Sequence, residues 1–418
     1  MKVLIVGSGA REHAIAWKIH QDPKVELFAA PGNGGTESFA QNLPGVDITS
    51  GSSVVDAARF VGADLVVVGP EAPLACGVVN TLDKAGIPSF GPSMEAAQIE
   101  TSKSFAIEMM RRKRIPHAPS WFFNNDAAVE NFARNYGKPV AVKPDGLSGG
   151  KGVQICSTPE EAAFAARACM RISPRRRIVV QKVLEGQEVR VFVFTDGHEI
   201  SALIAACDYK RRDDGNKGPN TGGMGSYAWP RFWTGQLAST ARDSIMKPVL
   251  EGLAQMGTPF RGVLYGGLMF TQDGLKVLEF NCRFGDPETQ VILLLLETDL
   301  LEVMMACWEG RLANVPVEWS QEFAVGVVLA DVRYPGGTSR LESAIGFPER
   351  LKEKLFWGTG TTLHKGTTGM RIHGVDRMAT VVQKAPTLES ARQKVYGAVA
   401  ELDLPPGFLH FRTDIAAV

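Results

Sequence analysis

The sequence predicts a multidomain α/β protein that opens with a doubly wound parallel-sheet domain and closes with an α+β domain. Over residues 1–100 short β-branched runs alternate with helical stretches, the pattern of parallel strands covered by helices. The chain has 418 residues, more than one hydrophobic core usually supports, and its strand and helix spacing changes near residue 101.

In the first unit strands are expected over 3–6, 27–30, 65–68 and 88–90, and helices over 12–20, 54–61 and 79–85. The first strand runs into the glycine turn Gly7-Ser8-Gly9-Ala10-Arg11-Glu12-His13. A dinucleotide site would also need an acid near the end of the second strand, to hold a ribose. That strand instead enters a second glycine turn, Pro31-Gly32-Asn33-Gly34-Gly35-Thr36. Together the turns read as a cradle for a smaller phosphorylated ligand, with Gly9, Arg11, Glu12 and Asn33 as contacts and the helix N-terminus facing the phosphate. Tight turning alone would also explain the glycines. The strand over 65–68 ends in Gly69-Pro70-Glu71, a polar loop at the end of a sheet where ligands bind, so Glu71 is a candidate substrate contact.

Further along, a helix is expected over 101–114, a strand over 139–143, a helix over 159–171 and a strand over 178–183. Strands over 189–194, 199–206, 262–270 and 275–280 follow, with helices near 237–256 and 288–309. From about residue 322 the chain reads as strands and turns with one helix over 387–402.

Composition excludes several function classes. Lys+Arg 45 balance Asp+Glu 45, so no bulk field recruits nucleic acid or an anionic bilayer. Six cysteines form no CxxC pair, which argues against a zinc site or a disulfide framework. The longest apolar runs are too short for a signal peptide or a membrane helix, and a cytoplasmic location is expected.

Phosphate-handling parts recur in order. Lys143 closes a strand and Lys151 sits in the loop Ser148-Gly149-Gly150-Lys151-Gly152, whose exposed N–H groups suit a polyphosphate. Gly152 stands where a Walker loop needs Ser or Thr, and no HRD or DFG triplet occurs. Lys103 is a candidate third cation. The segment 181–188 offers backbone to a base and Glu188 to a ribose, and Asp208, Lys210 and the turn-rich loop 218–225 follow. Finally, Glu279, Asn281 and Arg283 alternate along a strand, so an acid, an amide and a guanidinium share one face. Hard oxygen ligands beside an arginine suit a metal and a phosphate, although an ordinary polar strand face has the same pattern.

This order resembles the ATP-grasp ligases, and among them the glycinamide ribonucleotide synthetases. The likeness rests on 9–13, 68–74, Asp145-Gly146-Leu147 with Gly150-Lys151-Gly152, 218–225 and 279–288, and spans essentially the whole chain. It implies a domain over 1–100, a two-lobed ATP-grasp unit over 101–315 with a small lid lobe at about 117–187, and a C-terminal domain over 316–418. Glu279 and Asn281 match magnesium (or manganese) ligands. Lys103, Lys143, Gly149, Gly150, Lys151 and Gly152 match the phosphate side of ATP, with Val183, Leu184 and Glu188 on the nucleoside. Lys210, Asn220, Thr221, Gly222, Arg283 and Asp286 fall where phosphoribosylamine and glycine meet, and Arg283, Lys151 and Asp208 are the implied catalytic residues. The implied reaction passes through a glycyl phosphate, in a monomer or weak dimer, with the lid over 148–152 closing on the intermediates. The chain departs from the family at Ser8, Gln181-Lys182, Gln187 and Cys207. A ligase for another amine or amino acid, or a silent nucleotide-binding relative, is the alternative.

Overall fold

The computed structural model describes residues 1–147, 152–337, 342–363 and 369–417. Its first sheet is wholly parallel, in the order Gln41–Asn42, Glu26–Pro31, Lys2–Gly7, Leu65–Val68, Ser89–Phe90. Strand order reverses between Lys2–Gly7 and Leu65–Val68, and a crevice opens outside the carboxyl ends of that pair. The first glycine turn and Glu71 both lie there. Glu71 opens a short helix, Glu71–Ala75, where the sequence suggested a loop.

A small antiparallel sheet follows, ordered Ser120–Phe123, Ile178–Lys182, Val140–Pro144, Gln154–Cys156. The helices Asp126–Tyr136 and Pro159–Ile172 cover it with small apolar side chains, among them Ala133, Ala162 and Ala166. Thr158 and Glu161 form a reciprocal capping box that fixes where the second helix starts.

The largest sheet runs from Gly274–Asn281 through Gly262–Thr271, Gln187–Thr195, Ile204–Asp208 and Gly225–Ala228 to Phe323–Asp331, Arg377–Ala385 and Leu355–Trp357. All its described pairings are antiparallel, and Gly225–Ala228 pairs directly with Phe323–Asp331. Residues beyond 322 therefore extend this sheet as well as building their own three-stranded one.

Several expected helices are interrupted by residues that cap. Ser102 accepts from the Phe105 N–H at 3.2 Å, splitting the expected helix over 101–114 into Gln98–Thr101 and Lys103–Arg112. Asp299 accepts from the Glu302 N–H at 2.7 Å, so 288–309 becomes Glu288–Leu295 and Leu300–Glu309. The strand expected over 199–206 forms later, as Ile204–Asp208.

Every residue of Glu288–Leu295 is buried, because the helix lies between Ala10–His20 and the large sheet. Its apolar run is a core helix. Among the described residues no helix is long and apolar enough to cross a membrane.

The second glycine turn is a correction to the sequence reading. Asn33 is buried and its amide donates to the carbonyls of Ser8, at 2.9 Å, and Trp357, at 2.7 Å, while Oδ1 accepts from the Gly35 and Thr36 N–H groups. Gly34 donates to Thr361 O at 2.9 Å, and the Trp357 N–H donates to His13 Nδ1 at 2.9 Å. This turn fastens the first sheet to the C-terminal strands, and the Asn33 side chain is taken up by those contacts. Burial pushes the His13 imidazole down to about 3, so it stays neutral and keeps accepting that bond.

Phe356 is 1% exposed and packs edge-on against His13 and Trp17 at this seam. Phe356→Ala should lower stability by about 3–5 kcal/mol, read as an earlier denaturation midpoint. An unchanged midpoint would show that the seam carries little of the fold's stability.

Candidate functional site

A cavity of about 490 Å³ lies where the crevice of the first sheet, the small antiparallel sheet and the large sheet converge. Gly9, Arg11, Glu12 and Glu71 line it from the first sheet, Lys103 from the helix Lys103–Arg112 and Lys143 from the small antiparallel sheet. Asp208, Lys210, Thr221 and Gly222 line it from the large sheet and the loop beyond, and Glu279, Asn281, Arg283 and Asp286 from the strand Gly274–Asn281 and the turn after it. Residues 149–151 lie outside the described residues. Asn33 is off the wall, as are Asn220, Val183, Leu184 and the buried Gly152. Glu188 stands behind Lys210, whose Nζ is 3.6 Å from its Oε1.

The strand Gly274–Asn281 stops two residues before Arg283, so the shared face expected from alternation holds for Glu279 and Asn281 only. Arg283 reaches the cavity from the bend beyond. It donates from Nε to Glu71 Oε2 and from Nη2 to Glu100 Oε1, each at 3.1 Å, and from Nη1 to its neighbour's carbonyl at 3.0 Å. Those contacts hold the guanidinium in one plane. Arg283, against the opposing effect of burial and helped by Arg11, keeps Glu71 down to about 2. Glu100 also accepts from the Cys282 N–H at 2.8 Å, and Cys282 is a buried thiol in a turn with no access to the cavity wall.

Burial opposes ionisation of Glu279, but Lys210, Lys143, Arg190 and Lys103 outweigh it and hold the carboxyl well below its usual range. Lys210 Nζ is 3.7 Å from Glu279 Oε1, so it is shared between Glu188 and Glu279. Glu279 Oε2 and the Asn281 amide oxygen have no hydrogen-bond partner among the described residues. Two unpartnered oxygens two residues apart on one strand fit a hard cation that takes its remaining ligands from phosphate and water. No cluster of three or more His, Cys, Asp or Glu side chains suited to a metal occurs among the described residues, so a site built wholly of protein side chains is not indicated.

Lys143 is 7% exposed and makes no ion pair among the described residues, while Lys103 donates to Gly146 O at 2.8 Å. Arg11 is tied to Glu12 at 2.5 Å and lies 3.8 Å from Glu71, so it braces the wall at the first turn.

Three residues here escaped the sequence reading. Arg190 is wholly buried in the strand Gln187–Thr195, between Glu188 and Asp208. The one signal available was a guanidinium inside the apolar run Val189-Arg190-Val191-Phe192. Glu100 gave none. Arg377, from the C-terminal part, donates to Asp286 Oδ2 at 3.1 Å and to the carbonyls of Asp286 and Gly222 at 2.8 and 3.2 Å.

A family model described as phosphoribosylglycinamide synthetase, N domain, matches residues 1–100, and one described as phosphoribosylglycinamide synthetase, ATP-grasp (A) domain, matches residues 101–289. The phosphoribosylamine–glycine ligase of Streptomyces coelicolor is 43% identical over 423 residues, covering 100% of this chain and 99% of that one. That of Ralstonia nicotianae is 39% identical, covering 99% and 98%. Among solved structures, the phosphoribosylamine–glycine ligase of Thermotoga maritima superposes with a TM-score of 0.84 at 28% identity, covering 99% of this chain and 100% of that one. A biotin carboxylase of Campylobacter jejuni, solved as a complex with β,γ-ATP, superposes at 0.72 with 14% identity, covering 98% and 92%, which shows a shared fold alone.

Burial, with Lys103 and Lys210 nearby and Glu279 opposing, lowers Lys143 to about 8. Below that pH the ammonium is charged in both folded and unfolded chains, and the folded chain bears its desolvation. Between about 8 and the ordinary lysine value of 10.5 the unfolded chain binds the extra proton, so stability should rise with pH. The rise should reach roughly 3 kcal/mol. Melting profiles of the wild type and Lys143→Met across this window check it, since only the wild type should gain; parallel profiles would refute the shift.

Proposed function

The chain belongs to the phosphoribosylglycinamide synthetase family, and on that premise we propose that it joins glycine to 5-phosphoribosylamine using ATP, releasing glycinamide ribonucleotide, ADP and phosphate in purine biosynthesis. The observation that carries this reading is the single cavity in which Lys103, Lys143, Glu279 and Asn281 face Arg283, Asp286 and the first glycine turn. Cations for a polyphosphate, oxygens for a metal and groups for two further substrates share one chamber.

Phosphoryl transfer to the glycine carboxylate needs in-line placement and neutralised oxygens more than covalent help. Lys143 and Lys103 bring fixed positive charge to the phosphate end. A magnesium or manganese ion at Glu279 and Asn281 would supply further neutralisation of the phosphate oxygens. Arg283, aligned by Glu71 and Glu100, keeps N–H donors for the glycine carboxylate and then for the oxyanion that forms when the amine attacks. Asp286, fixed by Arg377, and Gly222 border the place where the amine enters. The first turn of the helix Ala10–His20 presents backbone N–H groups to the substrate's own phosphate. Lys151, Gly149 and Gly150 are assigned to the ATP phosphates by family likeness. No side-chain nucleophile is required.

Purified protein given ATP, magnesium and phosphoribosylamine should release ADP with glycine and not with other amino acids. Release with a different amino acid alone would reject the assignment of glycine. Glu279→Ala should lower turnover by at least about 100-fold while the protein still melts cooperatively. Full turnover in that variant would remove Glu279 from the metal site.

A further inference from the structure

Arg190 touches no substrate in the chemistry above, yet it is a wholly buried charge beside it. Its Nη2 donates to Glu188 Oε1 and its Nε to Asp208 Oδ1, the latter at 3.1 Å. The side chain is 0% exposed, and its Nη1 has no partner. Across the sheet Arg190 pairs with Gly267, and Gly267 pairs in turn with Glu279. A Cβ at Gly267 would lie 2.6 Å from Nη1 and 3.2 Å from Glu279 Cγ, so the guanidinium extends over the bare middle strand toward the metal strand.

Both cations that touch Glu188 take the same oxygen. Arg190 and Lys210 each meet Oε1, and Oε2 has no partner among the described residues. The Glu188 side chain is 37% exposed. It is thus a carboxylate gripped by one oxygen, just off the cavity wall beside Lys210, with the other oxygen left without a protein partner among the described residues. A planar fork bonded to Asp208 as well as Glu188 fixes both carboxylates against one rigid group, which a lysine ammonium on a flexible stem does not do.

We propose that Arg190 is a positioning residue that sets nucleotide-sugar specificity, by holding Glu188 so that Oε2 accepts from a ribose hydroxyl. The inference rests on the reading of Glu188 as the ribose contact. An acceptor that is ionised and immobile rejects a sugar lacking the hydroxyl, because the carboxylate is then left without a partner.

The test is calorimetric binding of ATP, 2′-deoxy-ATP and 3′-deoxy-ATP with magnesium, which needs no turnover. The wild type should bind ATP about tenfold or more tightly than at least one deoxy form. In Glu188→Ala and in Arg190→Lys that ratio should fall to within about threefold, through weaker ATP binding with deoxy-ATP binding unchanged. Should Arg190→Lys not fold, the charge-balanced pair Arg190→Gln with Asp208→Asn takes its place. If Glu188→Ala loses the ratio and the Arg190 variant keeps it, the role of Arg190 is rejected and that of Glu188 stands. If Glu188→Ala keeps the ratio, the ribose reading fails and this inference with it. An equal loss of ATP and deoxy-ATP affinity in the Arg190 variant would mean a merely structural role.

Discussion

Carboxylates and cations are buried together in this cavity, and each set offsets the cost of burying the other. Glu279 is charged because Lys210, Lys143, Arg190 and Lys103 surround it, and Asp208 and Glu188 outweigh burial to hold the Arg190 guanidinium above its ordinary value. Taking any ion into a protein interior costs several kcal/mol, so a buried pair is stable only when its lone pairs and protons are satisfied. Here satisfaction is deliberately incomplete. Glu279 Oε2, Asn281 Oδ1, Glu188 Oε2 and the Lys143 ammonium are left without partners among the described residues. Of these groups Lys143, Glu279 and Asn281 line the cavity, and Glu188 lies just off its wall beside Lys210.

The fold places that network by convergence of separate sheets. The parallel sheet contributes a crevice at its order reversal, where Gly9 and Glu71 project. The large antiparallel sheet contributes its flat face, with Glu188, Arg190, Asp208 and Glu279 on neighbouring strands. A wholly buried helix, Glu288–Leu295, lies between them and begins at the turn carrying Asp286. The C-terminal strands continue the same sheet and return Arg377 to that aspartate. Residues distant in sequence are thereby held to rigid elements, which positions a site more tightly than loops would.

Much of this was legible because the local signals were strong. The β-branched runs ending in glycine predict the parallel strands, and Glu279-x-Asn281 has the two-residue period that places both oxygens together. Legibility failed where a residue's partner was far away. Nothing near Arg377 indicates Asp286, 91 residues earlier, and nothing near Glu100 indicates Arg283, 183 residues later. Asn33 misled for a related reason. A small amide among glycines looks like a ligand contact, but its partners are the backbones of a neighbouring turn and of Trp357. Ser102 and Asp299 sat inside apparently continuous helical patterns, and only their hydrogen bonds reveal them as caps.

Gly267 marks how closely the two halves of the charge network depend on one backbone position. In the row Arg190, Gly267, Glu279, the outer two residues carry long charged side chains and the middle one carries none. The bulge beside it, between Gly267 and Leu268, shifts the register so that Glu279 rather than Leu278 stands opposite the glycine. Any side chain there would push the guanidinium off Glu188 or the carboxylate off its place beside Asn281. A glycine weakens a strand interior, so its presence at the centre of the largest sheet is a stability cost accepted where two opposite charges must approach across the strand between them.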